Sequence, residues 1–291
     1  MGNPQETHTY LPTEKKAVVK ELLGILRDYT WDNSFKNMSN NKFLDWFVGF
    51  SEGDGSFIIP TDGPNRFELW QSAKDAEVLY HIKTNLGFGK VVLPGYRPDM
   101  AIYSITDKAH LECLREIFAS RMRTKNTWTR YHNFYNINLS NTTITIQKPS
   151  LTDAWLAGFI DAEGCFRIKI EKDNTIKLLF EISQKDCELI TRIGELFPNL
   201  VAKTRVDRGV YRIGSSARLV REQLIAYFNL NPLRSHKRFV LSKWVDADIL
   251  LAKKSPDWKE KIIKLSIGLN NWRIKDRVRS PLKEGAPIQF S

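Results

Sequence analysis

The chain has 291 residues, which is long enough for two compact units that each bury a core of their own. Hydrophobic residues make up 42% and aromatic residues 11%, so a folded protein is expected rather than a disordered one, and no apolar run approaches the roughly 18 residues of a membrane helix. The 44 Lys and Arg residues exceed the 33 Asp and Glu residues, and this basic balance of +11 favours polyanionic partners over neutral or acidic ones.

The basic excess is concentrated in the second half of the chain. Residues 151–291 hold 26 basic and 17 acidic residues, so they carry most of the net charge. The three cysteines form no CxxC pair and the five histidines are dispersed, which argues against a disulfide framework and against a zinc site.

The first segment, residues 1–42, is predicted to be an N-terminal extension. Its pattern indicates a capped amphipathic helix that begins at Thr13 and ends near Asp28. We expect this helix to pack onto the domain that follows.

Residues 43–138 are predicted to form one half-domain in which helices alternate with pairs of strands. A turn at 62–65 separates its first two strands. The predicted elements are a helix at Lys42–Gly53, strands at Ser56–Thr61 and Arg66–Ser72, a helix at Asp75–Leu86, strands at Lys90–Leu93 and Ala101–Ile105, a helix at Asp107–Phe118 and a helix after Lys125.

A second half-domain is predicted at residues 151–255, after a linker at 139–150, and a C-terminal helix with a basic tail at 256–291. Ser72-Ala73-Lys74-Asp75 in the first half falls opposite Ser183-Gln184-Lys185-Asp186 in the second half, which supports a duplication. The second half is predicted to have helices that begin near Leu151, Asp186, Ser215 and Lys237, and strands at Cys165–Lys172, Thr175–Ser183, Val201–Val206 and Gly209–Ile213.

A short block of similar sequence begins each half. It covers Phe47–Gly55 in the first half and Leu156–Gly164 in the second, and each copy has an acidic residue, Asp54 or Glu163, just before its last glycine. Within each block two small residues stand four positions apart, so one helix face lacks bulk and the two helices can approach closely. We therefore expect Asp54 and Glu163 to emerge side by side.

Paired carboxylates of this kind suit a divalent cation. Carboxylate and carbonyl oxygens are the ligands that Mg²⁺ and Mn²⁺ prefer, and two such metals can support phosphodiester hydrolysis. We predict that Asp54 and Glu163 bind metal with the main-chain oxygens of Gly53 and Ala162. A buried helix whose acid only faces solvent is the alternative for one block, but the duplication disfavours it.

The acids two residues before Asp54 and Glu163 are expected to have a different role. Glu52 and Asp161 point to another side of their helices, so we predict a structural or capping role for them.

Over residues 43–255 the chain resembles the LAGLIDADG homing endonucleases in their single-chain form. The resemblance rests on the two blocks and on the αββαββα order after each, although the first block has Phe47-Val48 and Ser51-Glu52 where the family has Leu-Ala and Ile-Asp. It implies an α+β fold of two tandem half-domains related by a pseudo-two-fold axis, with antiparallel sheets that form a DNA-binding saddle. It also implies that Asp54 and Glu163 are the metal-binding acids, with Mg²⁺ or Mn²⁺ supporting cleavage and Ca²⁺ binding without it.

The resemblance implies further catalytic residues. Lys125 and Lys237 occupy the place of a lysine near the start of the last helix of each half, where an ordinary phosphate contact is the alternative role. Gln184 matches a polar position before the Lys-Asp helix start, whereas Ala73 does not, so we expect the two half-sites to be unequal.

One face of each sheet is predicted to contact DNA in the major groove. Strand 165–171 alternates, so Phe166, Ile168 and Ile170 are expected to face the core while Arg167 and Lys169 face outward. Exposed apolar groups such as Ile58 and Trp70 suit thymine methyl groups better than solvent. The full set of predicted DNA-binding residues is Ile58, Arg66, Glu68, Trp70, Ser72, Arg167, Lys169, Lys177, Glu181, Ser183, Lys203, Arg205 and Arg212.

Together these features predict a site-specific double-strand DNA endonuclease that acts as a monomer on a long, pseudo-palindromic target. The resemblance implies a gene within an organellar intron, most simply a mitochondrial one. An RNA-binding maturase that assists intron splicing is the alternative, and a transcriptional regulator on the same scaffold is a third reading. The acids in both blocks favour cleavage.

Overall fold

The structure is a computed structural model that describes residues 35–137, 146–197 and 209–270. Its first repeat runs from a long helix through two strand pairs to two further helices. These elements are α1 Phe35–Asp54, β1 Gly55–Ile58, β2 Arg66–Ser72, α2 Ala76–Leu86, β3 Lys90–Val92, β4 Met100–Ile105, α3 Lys108–Ala119 and α4 Lys125–Phe134. The four strands form one antiparallel sheet in the order β1-β2-β4-β3.

The described elements of the second repeat follow the same order, with residues 198–208 outside the described part of the chain. They are α5 Trp155–Glu163, β5 Gly164–Ile170, β6 Ile176–Gln184, α6 Cys187–Glu195, β7 Tyr211–Ser215, α7 Arg218–Leu230 and α8 Lys237–Lys253, after which α9 covers Trp258–Asn270. The described strands of this repeat form a sheet in the order β5-β6-β7, with β6 and β7 antiparallel. The predicted α+β fold of two tandem repeats with antiparallel sheets is confirmed.

The chain divides into two compact units. Of the described residues, the first unit comprises those up to Cys165 and those within Phe180–Arg238, and the second comprises Phe166–Leu179 and those from Phe239 onward. The second unit has a small core in which the rings of Phe166 and Trp244 pack with centroids 5.4 Å apart.

The core of the first unit is built around α1 and α5, which pack against each other. In α5 every residue from Trp155 to Asp161 is buried, so this helix is enclosed on all sides rather than amphipathic. Large aromatic side chains fill the space around both helices, including Trp46, Phe50 and Phe159, none of which has exposed surface. The C-terminal ends of both helices leave this core, so the acidic residues Asp54 and Glu163 are half-buried at its edge.

Most predicted elements are observed with shifts of at most four residues. The first helix is the exception, because the sequence predicts a start at Lys42 and the helix begins seven residues earlier at Phe35. The helix predicted at Leu151 begins at Trp155, where the Asp153 carboxylate accepts a hydrogen bond from the main-chain N–H of Trp155. The strand predicted at Gly209–Ile213 is observed at Tyr211–Ser215.

One prediction about β5 is wrong at its outer end. Phe166 and Ile168 are buried as expected, but Ile170, which is the last residue of the strand, is 36% exposed because the sheet ends there. The predicted helix at 13–28, the strand at 201–206 with Lys203 and Arg205, and the basic tail lie outside the described residues. None of the helices in the described part of the chain combines the length and the apolar character needed to cross a bilayer.

Candidate active site

The two repeated helices are in backbone contact because glycines line the interface. A Cβ atom on Gly49 would meet the carbonyl oxygen of Trp155, and a Cβ atom on Gly158 would meet the carbonyl oxygen of Trp46. At the end of the interface a Cβ atom on Gly53 would meet Ala162 and would lie 3.2 Å from Cγ of Glu163. The sequence prediction that small residues permit a close approach is confirmed.

Asp54 and Glu163 are the last residues of α1 and α5, and each is held by a glutamine from a neighbouring strand. Gln71 Nε2 on β2 donates a 2.6 Å hydrogen bond to Asp54 Oδ2. Gln184 Nε2 on β6 donates a 3.0 Å hydrogen bond to Glu163 Oε1. The two halves therefore present the same unit, a helix-terminal carboxylate oriented by an amide.

Both carboxylates are held in a setting that disfavours their negative charge. Burial raises the pKa of Asp54 above its ordinary value. Burial, followed by the charge of Asp54, raises the pKa of Glu163 to about 7. Two partly dehydrated carboxylates that repel each other would be stabilised by a cation between them.

Lys237 supplies one positive charge at this place. Its Nζ donates hydrogen bonds to the carbonyl oxygens of Ala162 at 2.7 Å and Ile160 at 3.2 Å. Burial lowers the pKa of Lys237, while the negative charges of Asp161, Asp54 and Glu163 act in the opposite direction. The ammonium group therefore lies against the end of α5, next to the acids.

Glu52 caps the start of the last helix in the first repeat, as the sequence predicted. Its carboxylate accepts hydrogen bonds from the main-chain N–H groups of Arg123 and Thr124 and from the Thr124 hydroxyl. The indole N–H of Trp155 donates a fourth, at 2.6 Å.

Asp161 makes the equivalent contacts in the second repeat. It accepts hydrogen bonds from the main-chain N–H groups of Arg234 and Ser235, from the Ser235 hydroxyl and from the indole N–H of Trp46. These buried acids hold the helices together and position the segment that carries Lys237.

The site fits a divalent cation of the Mg²⁺ type. Among the described residues no group of three or more His, Cys, Asp or Glu side chains could hold a metal, so a cation here would have two carboxylates as its side-chain ligands. Mg²⁺ commonly binds one or two carboxylates and completes its shell with water and substrate phosphate. The Ala162 carbonyl oxygen already accepts the Lys237 ammonium, so a metal at this oxygen would compete with that group.

On the first sheet, the predicted DNA-facing residues include a closed network. The Glu68 carboxylate accepts hydrogen bonds from Arg66 Nε and Trp70 Nε1, both at 2.8 Å, so neither oxygen is left without a donor. Glu68 is buried, while Arg66 and Trp70 are half-buried, as are Ile58 and Ser72. Glu68 therefore orients its two neighbours on this face.

On the second sheet, the predicted residues fall into both compact units. In the first unit Arg212 Nε donates a hydrogen bond to the Ser183 hydroxyl at 3.0 Å, and Glu181 is half-buried beneath Gly214. In the second unit Arg167 is exposed, and the ammonium groups of Lys169 and Lys177 both contact Glu171, at 2.9 and 3.1 Å.

Sequence reasoning missed Gln71. The Ser-x-Lys-Asp match places Ala73 opposite Gln184 and so predicts that the first half lacks this amide. Ala73 lies just after β2, in a short 3-10 helix, and Gln71 on the strand provides the amide instead. The expectation that the half-sites differ at this position is wrong. The alternation of β2 was the signal that could have found Gln71, because it puts this polar residue on the same face as the buried Phe67 and Leu69.

The two lysines differ in placement. Lys237 is half-buried beside the acids, whereas Lys125 is the exposed first residue of α4.

Comparison with known proteins identifies the family that this arrangement of repeated helices, sheets and paired acids represents. The family model of the LAGLIDADG endonucleases matches residues 47–138 and 156–247, which is one match for each repeat. The chain belongs to the LAGLIDADG endonuclease family.

Two curated relatives come from fungi. A protein of Neurospora crassa named "Probable intron-encoded endonuclease 4" is 32% identical over 238 residues, which are 78% of this chain and 43% of the relative. A Schizosaccharomyces pombe protein named "Probable intron-encoded endonuclease Cox1-I1b" is 30% identical over 201 residues, covering 57% of this chain and 52% of the relative. The chain thus spans about half the length of these relatives.

Solved structures share the fold. The LAGLIDADG homing endonuclease I-GzeII in complex with its DNA target superposes with a TM-score of 0.66 at 15% identity, covering 79% of this chain and 99% of that one. The protein I-SmaMI, bound to an uncleaved DNA target in the presence of calcium ions, superposes with a TM-score of 0.62 at 16% identity, covering 78% of this chain and 98% of that one.

Proposed function

We propose that this protein is a site-specific double-strand DNA endonuclease that needs a divalent metal ion. The observation that carries the proposal is the pair of half-buried carboxylates, Asp54 and Glu163, which the two repeated helices bring together and two glutamines orient. Its relatives are named as intron-encoded endonucleases, and the same class of activity accounts for the basic charge of the chain.

Asp54 and Glu163 would hold the metal, with help from the main-chain oxygens of Gly53 and Ala162. Mg²⁺ or Mn²⁺ would activate the attacking water and stabilise the departing oxygen. Ca²⁺ would bind without supporting cleavage, in line with the calcium and uncleaved DNA described for I-SmaMI.

The protein's own side chains perform the remaining tasks. Gln71 and Gln184 fix the direction of the two carboxylates, so that the metal ligands need no reorganisation when substrate arrives. Lys237 brings a positive charge to a place where negative charge develops as a phosphodiester bond breaks.

Side chains on the exposed sheet faces would read and hold the DNA. Arg66 and Trp70 are presented in fixed positions by Glu68, which suits contacts to base edges and thymine methyl groups. The lysines that share Glu171 suit phosphate contacts, because an ammonium group is a point charge without a fixed plane.

A monomer is proposed because one chain supplies both acids. The names of the intron-encoded relatives support a gene in an organellar intron, most simply a mitochondrial one, as the setting for this protein. RNA binding stays a prediction, and the paired acids favour DNA cleavage over it because an RNA-binding surface needs no such pair.

Incubation of the purified chain with a library of DNA duplexes and Mg²⁺ tests the proposal. We expect double-strand cleavage at a long preferred sequence, and Glu163→Gln should abolish cleavage while DNA binding stays within about threefold. Glu222→Gln, which removes an exposed partner of Arg218, is the matched control and should cleave like the wild type. Cleavage that survives the loss of both Asp54 and Glu163 would contradict the assigned site.

A further inference from the structure

We propose that the groove between α8 and α9 is a docking site for an acidic amphipathic helix of a partner protein. The inference goes beyond the proposed nuclease function and does not depend on it, because none of the groove residues belongs to the paired-acid site. It follows from the apolar floor, the basic rim and the open shape of this groove.

The groove has an apolar floor that the described part of the chain leaves open. Ile249 and Leu250 on α8 and Leu265 on α9 line a space of about 550 Å³. Ile249 is 46% exposed, and the two leucines are half-buried. Single exposed apolar side chains are common on protein surfaces, but three that line one concave space between two helices indicate a contact surface.

The second wall of the groove lies outside the family match. The match to the second repeat ends at residue 247, whereas α9 covers Trp258–Asn270. The side chains that α9 contributes to the groove are therefore not part of the repeated nuclease unit, and the activity of that unit does not account for them.

The rim of the groove is basic. Lys243 from α8 and Lys261 and Lys264 from α9 stand around the floor, against one acidic side chain, Asp246. An apolar floor within a basic rim is complementary to a ligand that carries apolar anchors flanked by carboxylates. This charge complementarity identifies the partner as acidic.

Two of the rim lysines have acidic neighbours that a ligand can replace. Lys261 contacts Asp257 at 2.9 Å and Lys264 contacts Glu260 at 2.7 Å, and all four side chains are more than half exposed. Ion pairs this exposed contribute little to stability, so their loss costs little. A docked helix would offer carboxylates to the same ammonium groups while its apolar side chains cover the floor.

The open shape favours a helix over a small molecule. A small-molecule site typically encloses about 70–90% of its ligand. Here the side chains of Lys261 and Lys264 are 53% and 71% exposed, so the rim does not close over the floor. An amphipathic helix needs only a groove that accepts its apolar stripe, with anchors at positions i, i+3, i+4 and i+7.

The groove lies on the side of α8 that faces away from β5. The rings of Phe166 on β5 and Trp244 on α8 pack together, so Trp244 marks the side of α8 that faces the sheet. Side chains advance by about 100° per residue along a helix, so Asp246 and Leu250 lie about 160° and 120° around α8 from Trp244. Arg167, which is proposed to contact DNA, points to the strand face opposite Phe166. A docked helix and a DNA duplex would therefore occupy different faces of this unit.

The experiment presents the full chain with a displayed library of peptides of about 18 residues, or five helical turns. Each peptide has Leu, Ile or Phe at positions i, i+3, i+4 and i+7, and its flanking positions vary among Glu, Gln and Lys. We expect selection of peptides with Glu at the flanks, which bind with a Kd of about 10 μM and lose binding when their residues are scrambled. Selection of Lys-flanked peptides, or of no peptide, would overturn the inference.

One variant on the floor has a matched control. Ile249→Glu places a carboxylate on the apolar floor and should weaken binding of the selected peptide by about tenfold or more. Ile263→Glu changes an isoleucine that is 40% exposed on α9 and does not line the groove, so it should weaken binding by less than about threefold. Thermal unfolding checks that both variants fold, and equal effects of the two on binding would overturn the inference.

A charge exchange tests the rim. The double variant Lys243→Glu, Lys261→Glu should lose the Glu-flanked peptide and bind a Lys-flanked version of it. Lys259→Glu is the control, because Lys259 is exposed on the opposite side of α9 from Lys261 and should not change the preference. A double variant that still prefers the Glu-flanked peptide would show that the rim does not select the ligand.

Other occupants of the groove give different results. Excess duplex DNA should leave the peptide bound, and displacement would place the peptide on the DNA surface instead. A dimer of the chain in sedimentation, or binding of a random-sequence RNA, that Ile249→Glu abolishes would identify a second copy or RNA as the occupant and overturn the inference. None of these measurements depends on cleavage, so failure of this inference and failure of the proposed function are distinguishable.

Discussion

The indole N–H of Trp46, on the first repeated helix, donates a 2.7 Å hydrogen bond to the buried carboxylate of Asp161 on the second. Trp155 on the second helix returns the same contact to Glu52 on the first, at 2.6 Å. Each buried acid is therefore bound to the opposite helix while it caps the final helix of its own repeat. This exchange couples the packing of the helix pair to the placement of Lys237.

Trp46→Phe and Trp155→Phe should each destabilise the protein. Phenylalanine fills most of the indole space but leaves a buried carboxylate oxygen with one donor fewer, which costs about 1–3 kcal/mol in addition to the lost volume. Urea unfolding measures the difference in the free energy of unfolding.

Trp244→Phe is the control for these variants. Trp244 is fully buried, and its indole N–H has no acceptor among the described residues, so this variant loses volume without losing a hydrogen bond. A cost for Trp244→Phe as large as that for Trp46→Phe would show that the hydrogen bond to Asp161 adds nothing.

Gly49→Ala and Gly158→Ala should disrupt the helix interface. The added methyl group would overlap a main-chain carbonyl oxygen of the other helix, which cannot move like a side chain, so we expect a loss of about 3 kcal/mol or more. Gly194→Ala in α6 has no atom within 4 Å of the new methyl group and should instead gain about 0.5–1 kcal/mol from helix propensity. Thermal unfolding of the three variants decides the matter, and a stable Gly158→Ala protein would refute the backbone contact.

Gln71→Ala and Gln184→Ala should each reduce cleavage without a comparable loss of DNA binding. Each variant removes the amide that orients one acid, and we expect a fall in kcat of about 10- to 100-fold with Kd within threefold. Single-turnover cleavage and filter binding separate the two effects. If only Gln184→Ala slowed cleavage, Gln71 would not be the functional equivalent of Gln184 in the first half.

The raised pKa of Glu163 predicts how stability changes with pH in the absence of metal. Because its pKa rises from an ordinary 4.5 to about 7, the folded state holds the proton more tightly than the unfolded state. Its contribution to stability is therefore present below about pH 4.5 and is lost as the pH rises through about 7. In EDTA, the Tm of the wild type should fall as the pH is raised from 5 to 8. The Tm of Glu163→Gln should fall by less over the same range, because glutamine has no proton to lose.

Addition of Mg²⁺ should reverse this loss. A cation that binds the ionised carboxylates stabilises the folded state, so Mg²⁺ should raise the Tm of the wild type more at pH 8 than at pH 5. Glu163→Gln should lose most of the increase. An equal Mg²⁺ effect on wild type and variant at pH 8 would argue against a metal at Glu163.

Arg66→Ala and Arg167→Ala should weaken DNA binding or relax sequence choice, because arginine side chains on these faces are proposed to contact bases. The expected loss of binding free energy is about 1–3 kcal/mol for each variant. Lys169→Ala should weaken binding to all sequences alike and reduce the dependence on salt, because an ammonium group contacts phosphate. Affinities measured over a range of salt concentrations distinguish the two modes. Unchanged affinity in all three variants would exclude these sheet faces as the DNA surface.

The sequence by itself determined the order of the elements, the duplication and the acidic residue that ends each repeated helix. Periodicity and turn residues are local properties, so α2, β2 and α3 could be predicted to within a residue or two. The small residues four apart in each block were also enough to predict that the two repeated helices meet.

Only the tertiary structure decided which distant side chains meet. Gln71 replaces Ala73 as the partner of Asp54 because the register of β2 beside α1, rather than the alignment of the two repeats, brings an amide to the acid. Lys125 and Lys237 match in sequence but differ in placement, since a shift of one residue relative to the capping acid turns a helical side chain away from the site. Such contacts depend on both strand register and helix phase. A local pattern of residues predicts neither for elements that are distant in sequence.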